Sequence, residues 1–223
     1  MKLIKPSYEI LTPISENAET ELKFIEQIAR TCYKSQGNNP EAMIRSLIKN
    51  GHHAMLEHSI LTVKFIVDRG VTHELVRHRE ASFAQESTRY CNYSNKKFGN
   101  ELTFIEPFWY DEASYNDKKI FEEYCANVER TYMYFIDSGH TPQEDRAVLP
   151  NCIKSEIVIT ANYREWRHIF SLRAANTTGK AHPDMNAIMC PLLQEIHDKI
   201  PVIFDDIYEK MLEDNQAVKF LAK

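Results

Sequence analysis

The sequence predicts an α+β fold, with a central, mostly antiparallel sheet and flanking helices in a single domain over residues 1–223. Three observations predict it. Apolar residues recur at helical spacing over most of the patterned length, only two segments show the two-residue alternation of a strand, and no β-α-β alternation or internal repeat appears.

Taken in chain order, Leu22, Ile25, Ile28, Ala29 and Cys32 recur at three and four, which predicts a helix from Ala18 to Tyr33. Met43, Ile44, Leu47 and Ile48 repeat the pattern over Glu41–Lys49, and Gly51 ends it. Leu61, Val63, Phe65 and Val67 alternate with Thr62, Lys64, Ile66 and Asp68, the pattern of a half-buried strand. A short helix follows over Thr72–Arg79. The longest helical stretch is Asp111–Ile136, with Phe121, Tyr124, Val128, Tyr132 and Phe135 on one stripe and Gly139 beyond its end. Ile153, Ile157 and Ile159 predict a strand over Cys152–Thr160, and a helix is expected from Tyr163. Two last helices meet at Pro201, with Ile200, Ile203, Phe204, Ile207 and Met211 facing inward.

Composition excludes several classes of function. With six glycines and nine prolines in 223 residues, the chain carries about half the usual share of both, so linker-like and low-complexity readings fail. The glycines stand alone, which removes G-x-G-x-x-G and P-loop phosphate sites, so any phosphate must be held by side chains. A net charge of −5 and a pI near 6.0 argue against a protein that coats nucleic acid. No apolar run approaches the ~18 residues of a membrane span, and Lys5 and Glu9 break a secretory signal, so a cytoplasmic protein without a membrane partner is expected. Cys32, Cys91, Cys125, Cys152 and Cys190 are odd in number and never form C-x-x-C, which points to reduced thiols and to no thiolate metal site.

Two clusters can carry chemistry. In His73–Tyr90, Arg77, Arg79 and Arg89 are balanced by Glu74, Glu80 and Glu86. A segment that tracked a polynucleotide would not cancel its own charge, whereas forked guanidiniums steadied by carboxylates suit one small phosphorylated molecule. The plainer alternative is a helix end carrying basic residues, followed by a solvated strand. His73-Glu74 and His78 fall short of H-E-x-x-H, because histidines five apart lie about 140° apart around a helix. His52, His53, Glu57 and His58 offer imidazoles and a carboxylate but no third segment of matching spacing, so no metal is expected. They suit a satisfied polar loop, or proton-handling or ligand-lining histidines.

The second cluster is Asn162-Tyr163-Arg164-Glu165-Trp166-Arg167-His168, with Arg173 beyond it and Arg146 upstream. Arg164, Arg167 and His168 share one helix face by the three-and-four rule. Arg173 lies nine residues past Arg164, about 900° of rotation, so the two arginines face opposite ways. They serve different ligands or subunits, or Arg164 is structural.

These pieces resemble the flavin-dependent thymidylate synthases. That family's signature of R-H-R, two residues, Ser, then an acid or amide, Ser and Arg-Tyr stands here as Arg77-His78-Arg79-Glu80-Ala81-Ser82-Phe83-Ala84-Gln85-Glu86-Ser87-Thr88-Arg89-Tyr90. Gly51-His52 through Glu57-His58, Arg146 to Pro150, Asn162-Tyr163-Arg164 and Leu172-Arg173 match its other blocks in order. The chain departs from the commonest signature at Ala84, where Asn is frequent, at Gln85, where Glu is frequent, and at Ala54, which replaces a hydroxyl residue. A short insertion separates Arg173 from His182.

The resemblance implies an enzyme that makes dTMP from dUMP, with methylenetetrahydrofolate as carbon donor and NADPH as reductant through FAD, and without a cysteine nucleophile. It implies that Ala54, Arg77, His78, Arg79, Gln85, Asn162, Arg164 and His168 contact FAD. Glu74, Arg77, Gln85, Glu86, Ser87, Thr88, Arg89 and Arg146 would surround dUMP, with Arg173 as the activating residue beside the pyrimidine. It also implies a homotetramer with sites at subunit interfaces. Two other classes stay open on residue type. One is a single-strand nucleic-acid module stacking bases on Tyr90, Tyr93, Phe98, Tyr163 and Trp166. The other is a metal-dependent nucleotide hydrolase centred on His52, His53, His58 and Glu57.

Overall fold

The computed structural model describes residues 1–32 and 34–221. The chain runs β1 (Lys2–Ile4), β2 (Ser7–Ile10), α1 (Glu19–Thr31), α2 (Pro40–Lys49), β3 (Ile60–Asp68), α3 (Arg69–Leu75), β4 (Ala81–Gln85), β5 (Thr103–Ile105), α4 (Tyr115–Asp137), α5 (Pro142–Asp145), β6 (Lys154–Asn162), α6 (Tyr163–Arg173), α7 (Pro183–Lys199), α8 (Pro201–Glu213) and α9 (Asn215–Val218). Strands β2, β3, β6 and β4, in that order, form an antiparallel sheet, and β1 pairs in parallel with β5 in a second, two-stranded sheet. The architecture is α+β, as the patterning predicts.

By contact the chain divides into two compact units, one of Met1–Ser7, Phe65–Arg77 and Phe83–Val158, the other of Tyr8–Lys64, His78–Ser82 and Ile159–Lys223. In the first unit, Cys125, Val128 and Tyr132 of α4 pack with Tyr93, Leu102, Phe104 and Ile153. Tyr124, placed by the sequence on the inward stripe, is 48 % exposed. The buried spacing is 121, 125, 128, 132, and Tyr124 sits one residue, about 100°, off that line. The helix also starts later than Asp111, because the Ser114 hydroxyl accepts from the Asp117 amide at 3.2 Å and caps it.

A similar cap corrects the helix expected over Thr72–Arg79. The Asp68 carboxylate accepts from the Val71 amide at 2.9 Å, so the helix begins at Arg69 and is spent by Leu75. Arg77, His78 and Arg79 therefore lie in the turn before β4 and not on a helix.

The second unit is built on α6, α7 and α8. Leu192, Leu193 and Ile196 of α7 and Ile203, Phe204 and Met211 of α8 are fully buried, and the inward set expected around Pro201 is buried throughout. Trp166 stacks near Phe170 with centroids 5.3 Å apart, and Phe170 meets Phe204 edge-on at 5.7 Å. The Trp166 indole N–H donates to the Leu61 carbonyl at 2.9 Å, which fixes α6 to β3 within this unit. The first expected helix is shorter at both ends than Ala18–Tyr33, and Tyr33 lies outside the described residues. Ala18, at φ +51°, precedes α1 in a left-handed conformation. Among the described residues no helix is long and apolar enough to cross a membrane.

Candidate active site

The two chemical clusters of the sequence meet at one histidine in the second unit. Asn162 caps α6 by accepting the Glu165 amide proton at 2.8 Å, a cap with an acid three residues on, as the N-terminal helix signature requires. That cap sets the phase of α6. Glu165 then faces His78, with Oε1 3.4 Å from Nδ1, and Arg173, two turns on, donates from Nε to His78 Nε2 at 3.3 Å across 95 residues of chain. His168 lies edge-on to His78, ring centroids 5.8 Å apart. His78 is 5 % exposed, and burial, then the positive charge of Arg173, then His168 push its pKa down to about 4. Its imidazole is neutral at physiological pH.

His78, Glu165 and His168 bring a ligand atom each within 4.8 Å of one another, a grouping that sequence spacing did not reveal. The chemistry of its neighbours opposes a cation. Arg173 can only donate, so His78 Nε2 must accept and the ring proton sits on Nδ1, the atom a metal beside Glu165 would need. The set His52, His53, Glu57 and His58 lies on or beside a 3₁₀ turn, His53–His58, and the Glu57 carboxylate is engaged by Arg164 at 2.6 Å.

A cleft of about 640 Å³ opens within this unit, lined among others by His53, Glu57, Arg164, His168, Asp206 and Lys210. The three basic residues expected on one face of α6 separate here. Arg164 lies at the surface, paired with Glu57. Arg167 is 7 % exposed and holds Asp206 through two bonds of 2.8 and 2.7 Å, with a further bond to the Ile203 carbonyl. Burial acts to raise the Asp206 carboxyl, and the Arg167 bonds and charge overcome it, holding it below its ordinary value. Ala54 and Arg79, also in this unit, are exposed, and Arg79 has no ion pair among the described residues.

The remaining site residues lie in the first unit. Gln85 donates through Nε2 to the Thr72 hydroxyl at 2.9 Å and to Ser155 at 3.2 Å. The Glu86 carboxylate accepts from Tyr93 at 2.9 Å, from Lys154 at 2.8 Å and from the Glu156 amide at 3.2 Å. Those donors hold the end of β4 in place and so set where the following turn points. Ser87 heads that turn, its carbonyl accepting from the Tyr90 and Cys91 amides; Thr88 is buried. Arg89 is exposed, donates from Nε to Gln143 at 2.8 Å and lies 5.4 Å over the Tyr90 ring. Arg77 and Arg146 are exposed without an ion pair among the described residues, and Glu74 is half-buried on α3. Sequence reasoning missed Glu165, Asp206 and Lys210. Only Glu165 left a readable signal, its place three residues after a capping asparagine.

A family model described as "Thymidylate synthase complementing protein" matches residues 14–202. A protein of Corynebacterium aurimucosum named flavin-dependent thymidylate synthase is 32% identical over 216 residues, covering 90% of this chain and 86% of that protein. One of the same name from Geobacter sulfurreducens is 29% identical over 189 residues, covering 80% and 78%. Among solved structures, the UMP/dUMP methylase PolB from Streptomyces cacaoi, bound with 5-Br UMP, superposes with a TM-score of 0.72 at 18% identity, covering 94% of this chain and 97% of that one. At that identity the likeness concerns the fold.

Proposed function

The chain belongs to the flavin-dependent thymidylate synthase family, and we propose that it converts dUMP to dTMP, drawing the carbon from methylenetetrahydrofolate and the reducing hydride from NADPH through FAD. It is an enzyme of the FAD-dependent methyltransferase kind. The observation that carries the reading is the convergence of the R-H-R segment, through His78, with Glu165, His168 and Arg173 of α6.

The donors on the cleft fit a large polyanionic cofactor. Lys210 and Arg164 supply cationic groups and His53 and His168 polar ring edges, while Ile207 offers apolar contact. Arg164 becomes available at small cost, because its pair with Glu57 is about half-exposed on both sides and such pairs contribute about 0–1 kcal/mol. Ala54, His78, Arg79, Asn162, Arg164 and His168, with Arg77 and Gln85, hold the cofactor in this reading. The flavin, when bound, supplies the hydride relay.

Binding of the nucleotide falls to exposed guanidiniums, since no glycine turn exists to cradle a phosphate. Arg77, Arg89 and Arg146 take the phosphate, and Glu74, Gln85, Glu86, Ser87 and Thr88 surround the nucleoside. Arg173 activates. Its permanent charge beside the pyrimidine stabilises negative charge gathering at N3 and O2, which makes C5 the better carbon nucleophile. The reading uses no cysteine nucleophile: burial pushes the Cys190 thiol up to about 12 and raises Cys91 as well, so both stay protonated, and Cys152, held down by its hydrogen bond with Cys125, lies outside every motif named above. The same reading takes residues 1–223 as one functional domain, working as a cytoplasmic homotetramer whose subunits share sites.

The test is an anaerobic absorbance trace of the purified protein. NADPH is expected to bleach the flavin, faster or slower when dUMP is present, and added methylenetetrahydrofolate to yield dTMP. A preparation that is colourless and takes up no FAD would overturn the reading.

A further inference from the structure

Arg173 is an unusual choice to hold rigidly. Its side chain has four rotatable bonds, and an electrostatic activator works only if its charge is already in place when the ring charge develops. One contact that orients it is the donation from its Nε to His78 Nε2, and an imidazole can accept there only in the tautomer that carries its proton on Nδ1. For an isolated histidine the two neutral tautomers interconvert freely; Arg173 at Nε2 favours the Nδ1–H form, and a carboxylate facing Nδ1 adds to that preference. Glu165 supplies it through an electrostatic contact, its Oε1 3.4 Å from Nδ1 on the far side of the ring and the carboxylate itself only about a tenth exposed.

We propose that Glu165 is a positioning residue for Arg173, acting through His78: its carboxylate holds the Nδ1–H tautomer and thereby keeps Nε2 free to accept from the arginine. The inference rests on the activating role given to Arg173 above. Two charged or titratable groups bear on this chain besides its members. His168 faces His78 edge-on, and Glu80 lies near enough to Glu165 to oppose its ionisation. A neutral His78 is what the arrangement requires, since a doubly protonated ring would repel Arg173, and the lowered His78 pKa agrees with it. The backbone amide of Glu165, not its side chain, takes part in the helix cap, so the carboxylate can be altered without uncapping α6.

The test uses the full-length flavoprotein, labelled with ¹⁵N at histidine, as wild type and as Glu165→Gln, Glu165→Ala and Glu165→Asp. The imidazole nitrogen shifts report the His78 tautomer directly, without reference to turnover. The wild type is expected in the Nδ1–H form. Glutamine can still accept the Nδ1 proton through its carbonyl, so Glu165→Gln is expected to keep the tautomer, whereas Glu165→Ala removes the acceptor and is expected to populate Nε2–H, which sets two donors against each other at Arg173. Glu165→Ala should lose about 10- to 100-fold in kcat, as removal of a group that orients a functional histidine does, with flavin content and dUMP affinity kept within about threefold. Glu165→Gln and Glu165→Asp should recover part of both readouts. An unchanged tautomer in Glu165→Ala overturns the proposal, as does a changed tautomer with unchanged kcat, or a loss of activity that follows loss of flavin. Arg173→Ala, measured alongside, separates the two claims: if it turns over normally, the activating role of Arg173 is wrong whatever the histidine does.

Discussion

Replacing Arg167 and Arg164 in turn by methionine separates a structural from a functional arginine on one helix. Methionine keeps most of the aliphatic stem, so what is lost is charge and hydrogen bonding. At Arg167 that means two charge-assisted bonds to Asp206 and one to the Ile203 carbonyl, made by a side chain 8 % exposed. Breaking a fully buried pair costs about 3–5 kcal/mol. The Asp206 side chain, however, is 54 % exposed and regains water when its partner goes, which brings the expected loss for Arg167→Met to about 2–3 kcal/mol. At Arg164 both partners are already wet, and the expected loss is under about 1 kcal/mol. In a chain of this length these figures correspond to about 4–12 °C against at most about 4 °C in Tm. Urea unfolding followed by far-UV circular dichroism gives the stabilities, and titration of the apoprotein with FAD gives the affinities. Arg164→Met should bind FAD more weakly while unfolding almost like wild type. Equal destabilisation by the two variants, or an Arg167→Met protein within about 0.5 kcal/mol of wild type, refutes the assignment.

The other expectations follow from single groups. His78 binds its proton near pH 4 in the folded protein against 6.5 ordinarily, so between those values the unfolded chain holds more protons; stability should fall by up to about 3 kcal/mol as pH drops through that window, and His78→Gln should flatten the profile in unfolding titrations. Asp206, held below its ordinary value, adds stability above the unfolded carboxyl pKa that is lost as pH falls on through the lowered one, so the gap between wild type and Arg167→Met should narrow below the ordinary carboxyl range, leaving the share due to the Ile203 carbonyl bond. Arg173→Ala should lower kcat by about 10²–10³ with flavin absorbance retained, as loss of one transition-state donor does, and near-normal dTMP formation would contradict it. Arg89→Ala should weaken dUMP binding by about 10-fold or more with little change in kcat, because a phosphate contact stabilises ground and transition states alike; a change confined to kcat would count against that role.

Elements whose signal lies in one face were legible in the sequence. The alternation of Leu61, Val63, Phe65 and Val67 gives β3 its buried face, and the set around Pro201 gives α8 its own. The short strands β1, β2 and β5 escaped notice because three or four residues hold too little pattern to distinguish alternation from chance. Boundaries failed where a side chain, not a periodicity, decides them: Asp68 and Ser114 each set a helix start through one hydrogen bond. In the candidate site, residue types and motif order were readable, but partners were not. Nothing in the spacing of Arg164, Arg167 and His168 says which of them will find an aspartate on a helix forty residues away.

The helix α6 shows why such partners decide function. Its three arginines have the same charge and the same reach, and although Arg164 and Arg167 both line the cleft, Arg164 is exposed beside Glu57 whereas Arg167 is buried against Asp206. Burial then dictates role. An arginine removed from water must be matched by a carboxylate, and once matched bidentately, as Arg167 is by Asp206, it has little left to offer a ligand. Arg173 meets a neutral imidazole through Nε, a contact that orients the guanidinium without adding an opposite charge. That contact agrees with the proposed role of Arg173, since an electrostatic catalyst has to be in place before charge develops on the substrate, whereas the bidentate pair of Arg167 serves the interior.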